Sequence, residues 1–269
     1  MAERKEITVI IAAHKEYRMP EDSMYLPLHV GAALSDKELG YTKDNTGENI
    51  SERNPSFCEL TGLYWAWKNL DSDYVGLVHY RRYFSLVKKG KDPFENVLTY
   101  EQIRNMLYKY PVFVPKKRKY YIETLYSHYA HTHYAEQLDL TREIIKDLYP
   151  SYLESFDEAV HKTYGHMFNM MILRKDFLDS YCAWLFEILF ELEKRYTRDD
   201  LDTFQGRFYG RVSEIIFNVW LLQQIKEGKL REDQIRELPF IYMEPVNWVK
   251  KGTSFLKAKL VHKKYDKSF

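Results

Sequence analysis

Cysteine is scarce in this sequence, and its apolar runs are short. There are two cysteines among the 269 residues, Cys58 and Cys182, and both lie in apolar segments with helical spacing. This count gives no support to a disulfide framework or a zinc site, so buried, reduced thiols are expected. No run of about 18 apolar residues occurs, so no membrane-spanning helix is predicted. The first residues form no signal-peptide core, and we expect a cytoplasmic protein.

The sequence also has no marked excess of basic or of acidic residues. The chain has 40 basic and 39 acidic residues, which give a formal net charge of +1. Nothing in this balance would attract a polyanion, which argues against a nucleic-acid partner. Hydrophobic residues make up 45% and aromatic residues 16%, enough for the core of one large domain.

Buried strands and amphipathic helices alternate along the chain. Apolar runs predict strands at Ile7–Ala13 and Val75–Val78, and helical spacing predicts a helix over Cys58–Asn69. Further strands are predicted at Tyr110–Pro115 and Phe168–Leu173, and further helices at Tyr100–Leu107, Thr141–Leu148, Tyr152–Val160, Phe177–Lys194 and Glu214–Lys226. This pattern favours a single α/β domain over residues 1–248, a mixed, mostly parallel sheet flanked by helices with helical additions.

The segment from Tyr74 to Phe84 continues a buried strand directly into a group of polar and aromatic residues. These residues are His79, Tyr80, Arg81 and Arg82. Ligands of α/β proteins bind where parallel strands end, and arginine forks suit phosphate oxygens. His14 and Lys15 end the first strand and are expected at the same edge. Alternatively, internal carboxylates hold the arginines; since adjacent strand residues face opposite ways, one arginine can be structural.

A polar loop, Asp44–Asn49, separates the early strands from the first helix. Asp44 and Asn49 are candidates for hydrogen bonds to a ribose or sugar hydroxyl. Oxygen-rich loops also suit magnesium or calcium, but the spacing lacks an EF-hand pattern. A solvated turn is the third interpretation.

One acidic pair matches the pattern of a metal site but lies in the wrong place for one. Asp71-Ser72-Asp73 has the acidic spacing that many nucleotide-sugar enzymes use for manganese, but it precedes its strand, at the opposite edge of the sheet. His128, His131 and His133 lie close in sequence, and no carboxylate shares their spacing. A structural or substrate-wall role is therefore favoured for these histidines, and no metal site is assigned.

Glu214 is the candidate catalytic base. Ser213 has the character of an N-cap, which would put Glu214 in the first helical turn, where the helix dipole favours its charged form. Arg207 and Arg211 lie just upstream and would also keep the carboxylate ionised. An ordinary acidic residue at a helix start is the alternative.

Together these segments resemble a bacterial glycosyltransferase family of capsule, exopolysaccharide and O-antigen assembly, long catalogued as a domain of unknown function. The resemblance extends over roughly Ile7 to Pro245. The segments that carry it are His14-Lys15 and residues 44–51, 59–69, 76–84, 168–170 and 210–214.

The resemblance implies a GT-A-like fold and inverting transfer of a sugar from a nucleotide diphosphate to a growing surface polysaccharide. UDP-galactofuranose is the first candidate donor. His79-Tyr80-Arg81 stands where related folds keep a metal-binding acidic pair, so no cofactor is expected, although a divalent metal is compatible. Asn169 would lie near the sugar, and Glu214 at the position of the base. The residues assigned to the acceptor side are Arg207, Arg211 and His128.

Residues 249–269 form a basic amphipathic tail with seven lysines interleaved with apolar residues. Such a tail suits an anionic membrane, since each lysine adds about 1 kcal/mol of attraction near the surface. Peripheral association with the inner face of the plasma membrane, and a lipid-diphosphate-linked acceptor, would then follow. The alternatives are a disordered basic tail or a contact with another protein.

A non-catalytic carbohydrate- or nucleotide-binding module is the second hypothesis for the function. The 23 tyrosines and 5 tryptophans would supply platforms for stacking on sugars. The cations at two strand ends argue against it, because neutral sugars do not need them.

Overall fold

The first predicted strand lies in the middle of a nine-stranded sheet. In the computed structural model, which describes residues 5–244, β1 (Ile7–Ala13) is buried along its whole length. It pairs in parallel with β2 (Tyr25–His29) on one side and β4 (Tyr74–His79) on the other. β3 (Thr42–Lys43) continues the parallel arrangement beyond β2. The apolar character of β1 on both faces follows from this central position.

The other half of the sheet mixes strand directions. β9 (Met171–Arg174) is antiparallel to β4 and to β6 (Val112–Pro115), and β10 (Ile235–Leu238) is parallel to β6. β5 (Arg82–Phe84) turns back along β4 and pairs with β11 (Phe240–Tyr242). The order of the main path is β10-β6-β9-β4-β1-β2-β3. The predicted mixed, mostly parallel sheet is confirmed.

The described residues divide into two compact units. Unit 1 contains the nine-stranded sheet and comprises residues 5–116, 168–183 and 230–244. Unit 2 comprises residues 117–167 and 184–229 and contains a two-stranded ribbon, β7 (Arg118–Lys119) with β8 (Tyr164–Gly165). The predicted tail at 249–269, and its boundary at residue 248, lie outside the described residues.

Helices surround the sheet of unit 1 and dominate unit 2. Over residues 5–244 they are α1 (Asn54–Phe57), α2 (Leu60–Asn69), α3 (Tyr100–Leu107), α4 (Leu125–Thr132), α5 (Ala135–Leu148), α6 (Leu153–His161), α7 (Lys175–Arg195) and α8 (Phe208–Lys226). Close packing of α2 depends on Gly62, where an added Cβ would lie 2.9 Å from Val30 Cγ1. No helix in the described part is long and apolar enough to cross a membrane.

Several predicted boundaries differ from the structure because tertiary contacts override local pattern. The strand predicted to begin at Phe168 begins at Met171, and the helix predicted from Cys58 begins at Leu60, since Cys58 has a φ of 54°. The helix predicted from Thr141 already begins at Ala135. Cys58 and Cys182 are both buried thiols, as expected, and burial raises the pKa of Cys182 well above its usual value.

Candidate donor and acceptor sites

The carboxyl ends of four parallel strands meet at one edge of unit 1. Ala12 of β1 pairs with His79 of β4, and Ala13 pairs with His29 of β2. His29 in turn pairs with Lys43 at the end of β3. The residues that directly follow these ends are therefore brought together, as ligand sites in α/β sheets require.

Tyr80 lies at the centre of this edge. Its side chain is 1% exposed, and three aromatic rings contact it. The ring centroids of His14, Tyr17 and His79 lie 5.4, 5.0 and 4.4 Å from that of Tyr80. The buried ring thus joins residues from the ends of β1 and β4.

Two cations from different strand ends contact the same ring. Lys15 Nζ lies 5.4 Å and Arg81 Cζ 5.2 Å from the centroid of Tyr80, within the range of cation–π attraction. Glu244 Oε2 lies 3.9 Å from Arg81 Nη1, and both side chains are about half exposed, so this pair is weak. We call Tyr80, His14, Lys15, Tyr17, His79 and Arg81 the Tyr80 cluster.

The strand predicted at Val75–Val78 ends where the polar residues begin, as expected, but it is followed by a turn that the sequence did not indicate. β4 ends at His79, Tyr80 and Arg81 form a tight turn, and β5 runs back with Arg82 opposite His79. The turn contains no glycine, asparagine or proline. Instead, the Arg81 N–H donates to His79 Nδ1 at 3.3 Å, a side-chain contact that turn propensities do not reveal. The turn places Tyr80 and Arg81 beyond the end of β4.

Arg82 has different surroundings from Arg81. Its guanidinium carbon lies 4.0 Å from the ring centroid of Phe168 and 4.9 Å from that of Tyr242. The two adjacent arginines therefore diverge, because Arg81 lies in the turn and Arg82 begins β5. Arg82 is packed against rings, and Arg81 is the more exposed of the two.

Phe168 and Asn169 form a strained turn before β9. Their φ angles are 80° and 51°, in the left-handed region that non-glycine residues rarely occupy. Asn169 is 3% exposed, and its Nδ2 donates to Glu59 Oε1 at 2.8 Å. Such strain costs about 1–3 kcal/mol per residue and concentrates at functional sites. The turn, through Phe168, also contacts Arg82.

Asp44 supports its loop from within. Its side chain is fully buried, and its carboxylate accepts hydrogen bonds from Gly31 N (2.9 Å), Ala32 N (3.0 Å), Thr61 Oγ1 (2.7 Å) and the Ser51 hydroxyl. These four donors fill the acceptor capacity of a carboxylate. The predicted direct contact of Asp44 with a sugar hydroxyl or cation does not fit this geometry; its role is structural.

Asn49 also bonds within the loop. Its Nδ2 donates to Gly47 O at 3.0 Å, and its Oδ1 accepts from Ser51 N at 3.2 Å. Both groups of the amide thus hold the backbone between Gly47 and Ser51. Of the three interpretations of this loop, the solvated turn agrees best with the contacts of Asn49.

Glu214 lies in the second turn of α8, so the prediction of a first-turn position is wrong. The helix already begins at Phe208, after a 3-10 turn, and Ser213 is a buried mid-helix residue whose Oγ donates to Gly210 O at 2.8 Å. The helix dipole therefore does not favour the charged form of Glu214, contrary to the expectation from the sequence. Glu214 is half-buried in unit 2, and its backbone carbonyl accepts from Asn218 Nδ2 at 2.9 Å.

The two arginines upstream of Glu214 differ in exposure. Arg211 packs on the ring of Phe204, with Cζ 4.0 Å from the centroid, and its Nη2 donates to Phe204 O at 2.7 Å. Arg207 ends the 3-10 turn Gln205–Arg207 and is exposed. Arg211 thus holds the segment before α8, while Arg207 is open to solvent.

A carboxylate from outside helix α4 contacts two of the three histidines, although none shares their spacing in the sequence. Glu123, which is 3% exposed, lies with Oε2 2.9 Å from His128 Nδ1 and Oε1 2.7 Å from His131 Nδ1. His133 points elsewhere, to Gln205 Oε1 at 2.9 Å. Glu123 precedes the helix, so its spacing to the histidines follows no helical period. Across residues 5–244, no group of three or more His, Cys, Asp or Glu side chains could hold a metal ion.

A family model matches most of this chain. It is described as a domain of unknown function (DUF4422), and it matches residues 8–225. The chain belongs to the DUF4422 family. This confirms the family that was predicted from the segment Gly76–Phe84 and the other segments that carry the resemblance. No curated protein matches the sequence.

A solved structure resembles this DUF4422 protein over nearly its whole length. It is the apo structure of the WbbM bifunctional glycosyltransferase, with a TM-score of 0.81 and 28% sequence identity. The match covers 90% of this chain and 46% of that chain, so this chain spans about half the length of the solved one. The predicted GT-A-like fold is confirmed.

Sequence reasoning missed three residues of the DUF4422 protein that the structure places at these sites. Glu59 accepts a hydrogen bond from Asn169, which is 110 residues away in sequence, and Glu123 contacts His128 and His131 from outside their helix. His29, 1% exposed, ends β2 at the same edge as the Tyr80 cluster, and burial lowers its pKa. For His29, the position at the end of a parallel strand was the one available signal that it lies at this edge.

Proposed function

We propose that this DUF4422 protein is an inverting glycosyltransferase that builds a bacterial surface polysaccharide, such as a capsule, exopolysaccharide or O-antigen. UDP-galactofuranose is the first candidate donor. The observation that carries the proposal is the Tyr80 cluster, which presents two cations at the ligand-binding edge of a GT-A-like sheet. The glycosyltransferase activity of the structural neighbour supports the reaction class.

The diphosphate of the donor binds at the Tyr80 cluster. Lys15 and Arg81 contact one aromatic ring yet remain exposed. Their charges are therefore accessible to a ligand, and the free protein does not have to bury them. Fixed cations stabilise the negative charge that develops on the departing UDP. His14 and His79 add hydrogen-bonding groups beside the same ring. This arrangement supports transfer that does not require a divalent metal.

The strained turn at Phe168 and Asn169 is assigned to the sugar. Phe168 contacts Arg82, which directly follows the Tyr80 turn, so the sugar and diphosphate positions adjoin within unit 1. Glu59 fixes the amide of Asn169, which gives the turn a defined orientation.

Glu214 of unit 2 is assigned as the base. It takes the proton of an acceptor hydroxyl, whose oxygen forms a bond to the anomeric carbon while the bond to the phosphate oxygen breaks and UDP departs. Arg207, Arg211 and His128, also in unit 2, are assigned to the acceptor. Because the helix dipole does not tune Glu214, substrate placement carries more of its activation.

We place the reaction at the inner face of the plasma membrane, with an acceptor linked to a lipid diphosphate. The lysines of residues 249–269 would hold the protein there. Flotation with anionic vesicles, with and without these residues, tests the idea; equal binding of the two proteins rejects it.

The donor assignment is tested by UDP release from a panel of UDP-sugars with a synthetic glycan acceptor, with and without EDTA. Release from UDP-galactofuranose that survives EDTA is expected. Lys15→Gln and Arg81→Gln should each weaken UDP binding about 10- to 100-fold, the equivalent of one charge-assisted hydrogen bond. Lys5→Gln is the matched control, because Lys5 precedes β1 at the opposite edge and donates to Ser23 O.

The base is tested by Glu214→Gln. Turnover should fall about 10²- to 10⁴-fold with UDP affinity unchanged. Glu154→Gln, an exposed residue of the same unit, should change neither. UDP binding without release by the unaltered protein would favour the non-catalytic binding module, and absence of UDP binding would reject the donor site.

A further inference from the structure

The two-stranded ribbon of unit 2 carries two strongly exposed apolar side chains just beyond β7. Tyr121 is 81% and Ile122 72% exposed, whereas the residues on either side of them, Tyr120 and Glu123, are buried. In the part of unit 2 that the structure describes, the only other exposed large apolar side chains are Leu148 of α5 and Tyr164 of the same ribbon. Exposed apolar side chains are therefore concentrated at this ribbon.

A strained turn holds these two side chains in solvent. Tyr121 has a φ of 59°, and the N–H of Ile122 donates to the carbonyl of Tyr120 at 2.7 Å, which closes a γ-turn. The N–H of Tyr120 donates to Thr163 O at 2.8 Å and so ties the turn to the strand before β8. Left-handed backbone is rare for an aromatic residue and persists only where neighbouring contacts impose it. The backbone therefore fixes the exposure of Tyr121 and Ile122.

Two cations lie beside this turn on one face of the ribbon. Lys119 pairs with Tyr164 across the antiparallel ladder, and residues directly opposite each other share a face. Lys117, two residues earlier, lies on the same face, with Nζ 5.4 Å from the ring centroid of Tyr164. Both lysines are exposed. We call the exposed residues of this surface the ribbon tip: Lys117, Lys119, Tyr121, Ile122 and Tyr164.

The side chains of the ribbon tip match the chemistry of an anionic lipid bilayer. Aromatic rings favour the level of the lipid headgroups, and exposed apolar side chains enter the boundary with the acyl chains. Each lysine near an anionic surface strengthens binding about fivefold. A glycan would stack on the tyrosines but would gain little from Ile122, which has no aromatic face. The aliphatic side chain thus favours a lipid over a carbohydrate ligand.

We infer that the ribbon tip docks the protein on an anionic membrane. Lys117 and Lys119 contact the headgroups, while Tyr121 and Ile122 enter the interface between headgroups and acyl chains. The contact lies in unit 2 and is separate from the lysines of residues 249–269. The inference rests on the proposed function for the membrane at which the protein acts.

The first test is a fluorescent probe at the ribbon tip of the full chain. A nitrobenzoxadiazole dye is attached to the thiol of Ile122→Cys, and the unaltered protein controls for labelling of the buried Cys58 and Cys182. Vesicles of phosphatidylcholine and phosphatidylglycerol in equal parts should shift the emission to shorter wavelength, whereas vesicles of phosphatidylcholine alone should not. The same dye in Glu154→Cys, an exposed position of the same unit, should not respond to either vesicle.

The position of the dye separates failure of the ribbon tip from failure of the proposed function. If the protein floats with anionic vesicles while the dye at residue 122 keeps its emission in water, the ribbon tip is refuted and the membrane position stands. Absence of flotation would refute both. A shift that depends on protein concentration without vesicles would indicate contact between copies of the chain and would also refute the inference.

Vesicle partition coefficients of the full chain supply the second test. Replacement of both Tyr121 and Ile122 by serine should weaken binding to anionic vesicles about 10- to 100-fold, since two apolar side chains no longer leave water. Leu148→Ser, in the same unit, is the matched control and should change binding by about twofold or less. Circular dichroism should be unchanged for both proteins. A serine variant that binds as tightly as the unaltered protein would contradict the inference.

The lysines are tested separately. Lys117→Gln combined with Lys119→Gln should weaken binding to anionic vesicles about 10- to 30-fold, the product of two fivefold effects. Lys146→Gln combined with Lys194→Gln removes two exposed charges elsewhere in unit 2 and should have a clearly smaller effect. An equal loss in the two double variants would show attraction by net charge alone and would reject the docking role of Lys117 and Lys119.

Discussion

Replacement of Asp44 by asparagine separates a structural role for this residue from direct donor contact. The side chain keeps its shape, but one carboxylate oxygen becomes an NH₂ group. Each oxygen of Asp44 now accepts from one backbone N–H and one hydroxyl. A hydroxyl can rotate and accept from the new NH₂ group, whereas the backbone N–H of Gly31 or Ala32 cannot.

The loss is therefore one buried charge-assisted hydrogen bond, with a donor left facing a donor. Hydrogen bonds to charged groups contribute about 1.5–3 kcal/mol, and an unsatisfied buried donor adds to the cost. We expect the free energy of unfolding to fall by about 3 kcal/mol, a large part of the roughly 5–15 kcal/mol typical of a folded protein.

Urea unfolding followed by circular dichroism measures this change, and calorimetry at 10 °C measures UDP affinity of the folded variant. Asp36→Asn is the matched control, because Asp36 is exposed and should change stability by less than about 0.5 kcal/mol. A variant of Asp44 with normal stability but UDP affinity reduced tenfold would refute the structural role and restore the direct contact predicted from the sequence.

Five further substitutions test the packing of the core, the titration of a tyrosine and the strained turn. Gly76→Ala should destabilise by about 1–3 kcal/mol in urea unfolding, because the new Cβ would lie 2.7 Å from Ile172 Cγ1, whereas Gly206→Ala, with no atom within 4 Å, should be neutral or gain up to about 1 kcal/mol. Burial and a neighbouring carboxylate raise the pKa of Tyr64 to about 12. In the unfolded protein the Tyr64 phenol ionises at a lower pH than in the folded protein, near its usual pKa of about 10. Its contribution to the free energy of unfolding is therefore present below about pH 10 and is lost as the pH rises to about 12. Between these pH values the Tm of Tyr64→Phe should fall less than the Tm of the unaltered protein. Asn169→Ala should destabilise by about 3 kcal/mol, since it loses a hydrogen bond and keeps a φ of 51°, and Asn169→Gly should recover about 1 kcal/mol. Equal stability of the two variants would argue against strain at this turn.

The local sequence pattern correctly predicted the strands and helices whose conformation depends mainly on local interactions. Ile7–Ala13 and Tyr100–Leu107 have the predicted bounds, because continuous apolar character specifies a central strand and a capping box specifies the helix start. The short strands β10 and β11 were missed, since they depend on pairing with β6 and β5, which lie far away in sequence.

The candidate sites likewise contain some features that the sequence pattern could predict and others that it could not. The meeting of His14, Lys15 and Arg81 at one edge could be predicted, because parallel strands deliver their ends to the same side of a sheet. The partners of Asp44 and Glu123 could not, because their hydrogen bonds join segments with no fixed spacing. Ser213 was misread since N-cap residues also occur inside helices, where they bond to a preceding carbonyl.

The discontinuity of unit 1 has a consequence for synthesis on the ribosome. β9 and β10 flank β6, yet they are made after much of unit 2, whose residues 117–167 and 184–229 interrupt the sequence of unit 1. While these strands are missing, both edges of β6 can pair with other nascent chains. Unit 1 thus cannot complete its sheet until residue 242, the end of β11, has left the exit tunnel, and slow elongation late in the message would prolong exposure to aggregation and to chaperones.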